Sequence, residues 1–306
     1  MTQRTPLLLL SLLLSLLLSL LLAACGSARG ASAQLGATPA PGPASSAPLR
    51  PSATATAPRP TPTPQPAARP ACLRQPGRIE HGEVEHADLL RPLPFRIYLP
   101  ACAGKPGFDR LPAIYLMHGL TYDDSQWDRL GAPAVADEMI ANGDAPPFLL
   151  VLPWERTGLD MELAVTQVLV PYIEATYPAE PGRQNRAIGG LSRGGGWALR
   201  IGMQQPRMFE SIGLHSPAVL SPDKHYLPKW SEALPADAIP RLALDIGQRD
   251  PLRPDALALA QQLDDLGLTV DVTLNPGEHT EAYWAEHVRP YLEWYVAPWL
   301  AAGAAE

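Results

Sequence analysis

The chain has 306 residues, of which 46% are hydrophobic, so it is long and apolar enough to bury one large core. Its formal net charge is −7 and no run of five basic residues occurs, which argues against a protein that binds nucleic acid through a basic face. The 36 prolines are far more than ordinary usage, and many of them crowd the first quarter of the chain.

Residues 1–24 have the pattern of an export signal. Arg4 gives a positive start, and an apolar run from Leu7 to Leu22 is interrupted only by serines. The sequence LLAAC, ending at Cys25, is similar to a bacterial lipobox. The resemblance implies cleavage before Cys25 and lipidation of its thiol, which would hold the protein on a membrane outside the cytoplasm, at the cell surface or in a periplasm. The alternatives are an ordinary signal peptide cleaved near Ala24 and an uncleaved signal anchor.

Residues 25–70 follow the signal and consist largely of Pro, Ala, Thr and Ser, with almost no large apolar side chain. Such a composition cannot bury a core, so we predict a disordered stalk. In polyproline II, at ~3.1 Å per residue, it could extend to roughly 140 Å. The folded domain is predicted to span residues 71–306.

With Cys25 assigned to the lipid, Cys72 and Cys102 remain as an even pair. In an oxidising compartment such a pair is expected to form a disulfide, which here would pin the start of the domain to the end of its second strand. Two free thiols are the alternative. Closing a loop of about 30 residues stabilises a fold by roughly 3–4 kcal/mol in the chain-entropy model.

From residue 78 onward, strand-like and helix-like segments follow one another. Two alternating segments, Arg78 to Leu89 and Leu93 to Pro100, predict antiparallel strands. Apolar strands and helices then alternate, which predicts a mostly parallel sheet with helices on both faces. The predicted strands are 111–119, 147–154, 185–191, 209–217, 241–248 and 268–276, and the predicted helices are 132–142, 161–176, 194–204, 255–266 and 281–296. Sites in such sheets lie at the carboxyl ends of the strands, where the candidate residues below fall.

Residues 190–194, GLSRG, match the G-x-S-x-G pattern, with a predicted strand before them and a predicted helix after them. This is the setting of a nucleophile elbow. In so tight a turn, side chains two residues before and two residues after the serine would collide, and Gly190 and Gly194 remove the clash. We therefore predict that Ser192 is a nucleophile, the alternative being a flexible glycine loop that contains a serine by chance.

A serine hydroxyl is a weak nucleophile unless a base takes its proton. Among seven histidines, His279 is the predicted base because it follows the last strand, at the sheet edge from which it could fold back over Ser192. His287, in the final helix, is the rival candidate. His118 is expected to be structural. The remaining histidines are weaker candidates: His81, His86, His215 and His225.

The base in turn needs a carboxylate that orients it and stabilises its charged form. Asp250 lies just beyond a predicted strand, 29 residues before His279, and is the predicted acid. Asp245, inside that strand, is the alternative acid, or else a buried structural carboxylate. The chain order Ser192, Asp250, His279 is the order found in α/β-hydrolases.

Two backbone N–H groups are candidates for holding the negative charge that develops on an ester oxygen. The N–H of Arg193 lies at a helix N-terminus directly after the nucleophile. The second candidate is Leu120, since Gly119 lets the loop after the third strand turn its next N–H toward Ser192. An ordinary strand–helix turn is the other interpretation of that loop.

The segments IYLMHGLTYDDSQW, IGGLSRGGGWAL, DIGQRDPL and PGEHTEAYWAEHVRPYLEW together resemble the putative-esterase family of α/β-hydrolases. The family includes S-formylglutathione hydrolases, feruloyl, acetylxylan and enterochelin esterases, and mycolyltransferases. The resemblance covers about residues 78–300. It implies an α/β-hydrolase fold, the triad Ser192, Asp250 and His279, and oxyanion-binding N–H groups at Leu120 and Arg193. Many relatives carry methionine where this chain has Arg193, which leaves the role of the arginine side chain open.

The resemblance implies two-step hydrolysis of a small-molecule or glycan-linked ester through an acyl-enzyme, without a metal or an organic cofactor. Four aromatic residues are weaker candidates for contact with an aromatic acyl group or a sugar, with ordinary packing as the alternative. They are Tyr122, Trp127, Trp154 and Tyr283. Two other functions stay open: an acyltransferase that uses a sugar as acceptor, and a non-catalytic lipoprotein that binds a surface glycan or partner on the same fold.

Overall fold

The computed structural model describes residues 69–303. The predicted signal, Cys25 and nearly all of the predicted stalk lie outside these residues. The sheet strands are β1 (Arg78–Val84), β2 (Leu93–Leu99), β3 (Ala113–Met117), β4 (Leu149–Pro153), β5 (Arg186–Leu191), β6 (Ser211–His215), β7 (Arg241–Gly247) and β8 (Val270–Asn275). Their order in the sheet is β1-β2-β4-β3-β5-β6-β7-β8. β2 pairs antiparallel with both β1 and β4, and every pair from β4 to β8 is parallel. The predicted α/β-hydrolase architecture is confirmed.

Helices cover both faces of this sheet. They are α1 (Gln126–Arg129), α2 (Ala132–Asn142), α3 (Met161–Leu163), α4 (Val170–Thr176), α5 (Arg193–Gln204), α6 (Asp223–Glu232), α7 (Arg253–Asp265) and α8 (Glu281–Gly303). A π-helical stretch, Ala164–Leu169, joins α3 to α4, and short 3₁₀ turns occupy Ala71–Arg74 and Arg183–Asn185. The sequence did not predict α6, because this helix carries Pro228 and mostly exposed polar residues and so lacks an apolar stripe.

The central strands are buried on both faces, which explains their continuous apolar sequences. In β3, Ala113, Tyr115 and Met117 pack into the core on the α5 side, whereas Ile114 and Leu116 pack into the core that contains α2 and α8. The second face is therefore closed by the C-terminal helix. Because both faces of these central strands are covered, their carboxyl ends are the expected place for a site.

Tyr295 locks α8 against the middle of the sheet. Its hydroxyl lies over Gly189 of β5 and Gly213 of β6, and a Cβ atom on either glycine would overlap it. The same hydroxyl is 2.9 Å from Nε2 of His215. The two glycines thus form a slot for one buried aromatic side chain, and this contact places the end of β6 and helix α8 in a fixed relation.

The predicted disulfide between Cys72 and Cys102 is present, with Cα atoms 5.3 Å apart. It ties the short turn at the start of the domain to the segment after β2. Among residues 69–303, no helix combines the length and the apolar character needed to cross a membrane.

Candidate active site

Ser192 lies between the end of β5 and the first residue of α5, in a strained turn. Its φ is 53° and its ψ is −117°, a combination that side-chain-bearing residues rarely adopt. A Cβ on Gly190 would overlap the backbone of Gly194, and a Cβ on Gly194 would overlap the carbonyl oxygens of Met117 and His118. Both glycines are therefore required sterically, and the turn holds the serine at the carboxyl edge of the sheet.

Two hydrogen bonds connect Ser192 with the predicted base and acid. His279 Nε2 lies 3.0 Å from Ser192 Oγ, and His279 Nδ1 lies 2.8 Å from Asp250 Oδ2. Because the ionised carboxylate only accepts, the imidazole proton is on Nδ1 and Nε2 is free to accept the serine proton. This is the arrangement a serine nucleophile needs for activation by a general base.

Asp250 is held as an anion by its hydrogen bonds. Burial alone would raise the pKa of this fully buried carboxyl, but hydrogen bonds from His279, from the Leu252 N–H (2.8 Å) and from the Ser216 hydroxyl lower the pKa below its ordinary value. The carboxylate is therefore ionised at neutral pH. It can fix the His279 tautomer and stabilise the imidazolium when the ring is protonated.

Two residues that sequence reasoning missed support this arrangement. Trp284 packs edge-to-face on the His279 ring, with centroids 4.9 Å apart, and its Nε1 donates to the Ser216 hydroxyl at 3.1 Å. Ser216 directly follows β6 and has a φ of 46°. Its place after a strand is visible in the sequence, but the positive φ and the contact with Trp284 are not, since they arise from packing.

The loop after β3 lies directly against the nucleophile. A Cβ built on Gly119 would be 3.6 Å from the Ser192 Cβ. The Gly119 N–H donates to Gln126 Oε1 at 2.7 Å, and its carbonyl accepts from the Tyr122 N–H at 3.2 Å. Within residues 69–303, the N–H groups of Leu120 and Arg193 make no protein hydrogen bond. Both are thus available as donors near Ser192.

The Arg193 side chain forms an ion pair with Glu155, which directly follows Trp154 at the end of β4. The backbone N–H of Glu155 donates to His118 Nε2 at 2.8 Å, and His118 Nδ1 lies 2.7 Å from the Gly119 carbonyl oxygen. His118 is buried, and burial lowers its pKa, which favours the neutral ring. The structure therefore places His118 in a hydrogen-bonded role behind the site.

The rival base and acid lie elsewhere and have other partners. His287 Nδ1 is 2.7 Å from the carbonyl oxygen of Tyr283, one turn earlier in α8. Asp245 accepts hydrogen bonds from Tyr283, Tyr291 and Asn275, and burial raises its pKa. Asp245 is thus a structural carboxylate, held by tyrosine hydroxyls and an amide.

The other histidines take no part in the triad. His215 is buried, and burial lowers its pKa to about 3. The side chains of His81, His86 and His225 are exposed. Among residues 69–303, no group of three or more His, Cys, Asp and Glu residues is arranged to hold a metal ion.

Two of the four aromatic predictions are wrong. Trp127 is 1% exposed and donates from Nε1 to the Met117 carbonyl, and Tyr283 is 4% exposed and donates to Asp245. Their helices, α1 and α8, turn these rings into the core behind the site. Tyr122 and Trp154 are half-buried at the carboxyl edge of the sheet, with Arg129 and Arg156 respectively over their rings.

Comparison with known proteins agrees with this geometry. A family model described as "Putative esterase" matches residues 156–297, which include Ser192, Asp250 and His279. The match spans just under half of the chain, and this stretch is similar to that esterase family. One similar relative is an endo-1,4-beta-xylanase/feruloyl esterase of Xylanibacter ruminicola, 30% identical over 149 residues. That match covers 44% of this chain and 20% of the relative, so the chain matches only about a fifth of that protein's length.

Solved structures show the same fold. A ferulic acid esterase superposes with a TM-score of 0.65 at 22% identity, covering 72% of this chain and 99% of that one. An S-formylglutathione hydrolase from Staphylococcus aureus has a TM-score of 0.62 at 18% identity, with the same shares covered. These similarities show that the described domain shares its fold with those proteins.

Proposed function

We propose that the domain is a serine esterase that hydrolyses carboxylic esters through an acyl-enzyme. The observation that carries the proposal is the continuous chain of hydrogen bonds from Asp250 through His279 to Ser192, with spacings of 2.8 and 3.0 Å. The match to the esterase family model, and the feruloyl esterases and S-formylglutathione hydrolases among the structural neighbours, support the same reaction class.

In the first half-reaction, Ser192 Oγ attacks the ester carbonyl carbon while His279 Nε2 takes the hydroxyl proton. The carbonyl oxygen becomes an oxyanion, which the N–H groups of Leu120 and Arg193 stabilise. When the intermediate collapses, the C–O bond to the alcohol breaks, and His279 gives its proton to the leaving alkoxide. The products are the free alcohol and an acyl-serine ester.

In the second half-reaction, water takes the place of the alcohol. His279 removes a proton from water as its oxygen attacks the acyl carbon, and the same two N–H groups stabilise the second oxyanion. Collapse breaks the bond to Ser192 Oγ, which regains a proton from His279. The products are a carboxylic acid and the unmodified enzyme, so no proton or electron is left unbalanced.

Labelling with a fluorophosphonate probe, together with turnover of p-nitrophenyl acetate, tests this proposal. The unmutated protein is expected to show both, and Ser192→Ala to show neither. Ser231→Ala, a substitution on helix α6 at a serine bonded to the Leu266 carbonyl, is the matched control and should behave as the unmutated protein does. Absence of both signals in the unmutated protein would overturn the proposal.

An aromatic acyl group is the substrate class that we favour. The chain resembles feruloyl esterases, and the half-buried rings of Tyr122 and Trp154 lie at the open edge of the sheet, where a planar acyl group could stack. A comparison of methyl ferulate with methyl acetate tests this preference. Trp154→Ala should raise KM for the ferulate ester and leave KM for the acetate ester nearly unchanged.

We further infer that the domain works outside the cytoplasm, attached to a membrane through a lipid on Cys25. The disulfide between Cys72 and Cys102 supports an oxidising compartment. The lipobox-like sequence supports the attachment. Cys25→Ser is expected to release the protein from the membrane fraction, whereas retention of this variant would indicate an uncleaved signal anchor instead.

A further inference from the structure

We propose that Glu155 is a positioning residue that ties together the two backbone N–H groups of the oxyanion site. The inference rests on the esterase function proposed above and deepens it. Glu155 follows β4, whereas Leu120 belongs to the loop after β3 and Arg193 begins α5 after β5. The two proposed donors therefore sit on separate segments, and Glu155 contacts the structure around both.

The first contact runs from the Glu155 backbone to the loop that carries Leu120. Its N–H donates to His118 Nε2 at 2.8 Å, so Nε2 is the accepting nitrogen and the ring proton is on Nδ1. Nδ1–H then donates to the Gly119 carbonyl oxygen at 2.7 Å. That carbonyl and the Leu120 N–H belong to one planar peptide group. A hydrogen bond that holds the carbonyl therefore also fixes the direction of the N–H.

The second contact runs from the Glu155 side chain to the residue that supplies the other N–H. Its carboxylate pairs with the Arg193 guanidinium. The Glu155 side chain is only 9% exposed, whereas the Arg193 side chain is 40% exposed. Without the ion pair, water could still hydrate the guanidinium but would hardly reach the carboxylate, so Glu155 needs the pair more than Arg193 does. The pair anchors the first residue of α5 to the segment after β4.

This pairing also gives the Arg193 side chain a specific role. Without the guanidinium, an almost buried carboxylate would remain unpaired on the segment that supports the oxyanion site. Its negative charge would disfavour the negative charge that forms on the substrate oxygen. Removing Arg193 alone should therefore impair catalysis more than removing both charges. A merely structural ion pair would show this order in the free energy of unfolding but not in kcat of the folded protein.

A double-mutant cycle on the full-length protein tests the inference, with kcat and KM for p-nitrophenyl acetate measured separately. Arg193→Met is expected to lower kcat by about 10- to 100-fold with little change in KM, because misplaced oxyanion donors act on the transition state. Glu155→Gln should lower kcat less. The variant with both substitutions should recover most of the activity that Arg193→Met alone loses.

Two further substitutions separate the backbone contacts at His118. His118→Asn retains a donor near the position of Nδ1 and should preserve the bond to the Gly119 carbonyl, whereas His118→Gln retains an acceptor near Nε2 but loses that donor. The glutamine variant should therefore lose more kcat than the asparagine variant. This comparison tests the inference independently of the Arg193 variants, and so it holds if those fold poorly. Arg207→Met, which breaks the exposed pair with Asp237, is the matched control and should leave kcat and KM unchanged.

The outcomes distinguish this inference from the proposed function. If the unmutated protein turns over ester but Glu155→Gln, Arg193→Met and His118→Gln all retain kcat within about 2-fold, the positioning role is overturned and the esterase function stands. Equal losses in Arg193→Met and in the double variant would also contradict the pairing. If the unmutated protein shows neither turnover nor fluorophosphonate labelling, the proposed function fails and the inference fails with it.

Discussion

His279 Nε2 and Ser192 Oγ lie 3.0 Å apart although 87 residues separate them in the chain. The contact forms because Ser192 follows β5 and His279 follows β8, and the carboxyl ends of parallel strands meet at one edge of the sheet. The hydrogen bond to Asp250 and the edge of Trp284 hold the imidazole from two sides. The ring is thus already oriented for proton transfer before a substrate arrives.

Replacement of His279 tests this contact directly. His279→Ala should lower kcat for p-nitrophenyl acetate by about 10⁴-fold or more, since the serine loses its base. His287→Ala is the matched comparison, because that ring bonds to a carbonyl within its own helix and should affect turnover only slightly. A large loss in the His287 variant together with a small loss in the His279 variant would reverse the assignment of the base.

Asp250 and Asp245 offer a similar comparison between two buried carboxylates. Asp250→Asn should lower kcat on the order of 10⁴-fold, because the amide no longer enforces the required His279 tautomer. Asp245→Asn should retain most of kcat and instead reduce the free energy of unfolding by about 1–3 kcal/mol, since it disturbs the bonds from Tyr283, Tyr291 and Asn275. Steady-state kinetics and denaturant titration of both variants measure these two effects. Loss of activity without loss of stability in the Asp245 variant would contradict the structural role assigned to Asp245.

Sequence reasoning placed Ser192, Asp250, His279, Leu120 and Arg193 at strand ends, and the structure brings these strand ends together. These positions could be predicted because each residue follows an apolar strand that the sequence pattern reveals. The partners of Glu155 and Ser216 were not readable, because they depend on how neighbouring segments approach in three dimensions. Trp127 was misplaced for a related reason: α1 is a single turn, too short for its periodicity to reveal which face is buried.

Asp250 and Asp245 should also affect stability with opposite dependence on pH. The pKa of Asp250 is lowered in the folded protein, so its contribution to stability is present above the unfolded value of about 4 and is lost as the pH falls through the folded value. The pKa of Asp245 is raised, because burial penalises its charged form. Its contribution is therefore most favourable below about pH 4 and is lost as the pH rises through the folded value.

Unfolding free energies measured from pH 3 to pH 7 check these signs. The stability difference between the unmutated protein and Asp250→Asn should shrink as the pH falls, whereas the difference from Asp245→Asn should grow. The differences are compared between pH 3 and pH 5, below the ordinary histidine pKa of about 6.5, because each substitution also removes a charge near a histidine, His279 or His287. If both stability differences changed with pH in the same direction, the opposite pKa shifts assigned to the two carboxyls would be contradicted.

Gly213 tests the slot that holds helix α8. Gly213→Ala places a methyl group where the Tyr295 hydroxyl lies, and the overlap should lower the free energy of unfolding by about 1–3 kcal/mol. Tyr295→Phe removes that hydroxyl and also its contact with His215, so it should be destabilising by itself. In the double variant the nearest overlapping atom is gone, but the ring carbons Cζ and Cε1 still lie less than 3.0 Å from the added Cβ, so the combined loss should be only partly below the sum of the single losses. Gly303→Ala, at a helical position with open space around it, is the control and should be neutral or slightly stabilising. Strictly additive losses in the double variant would show that the hydroxyl and the glycine do not share one space.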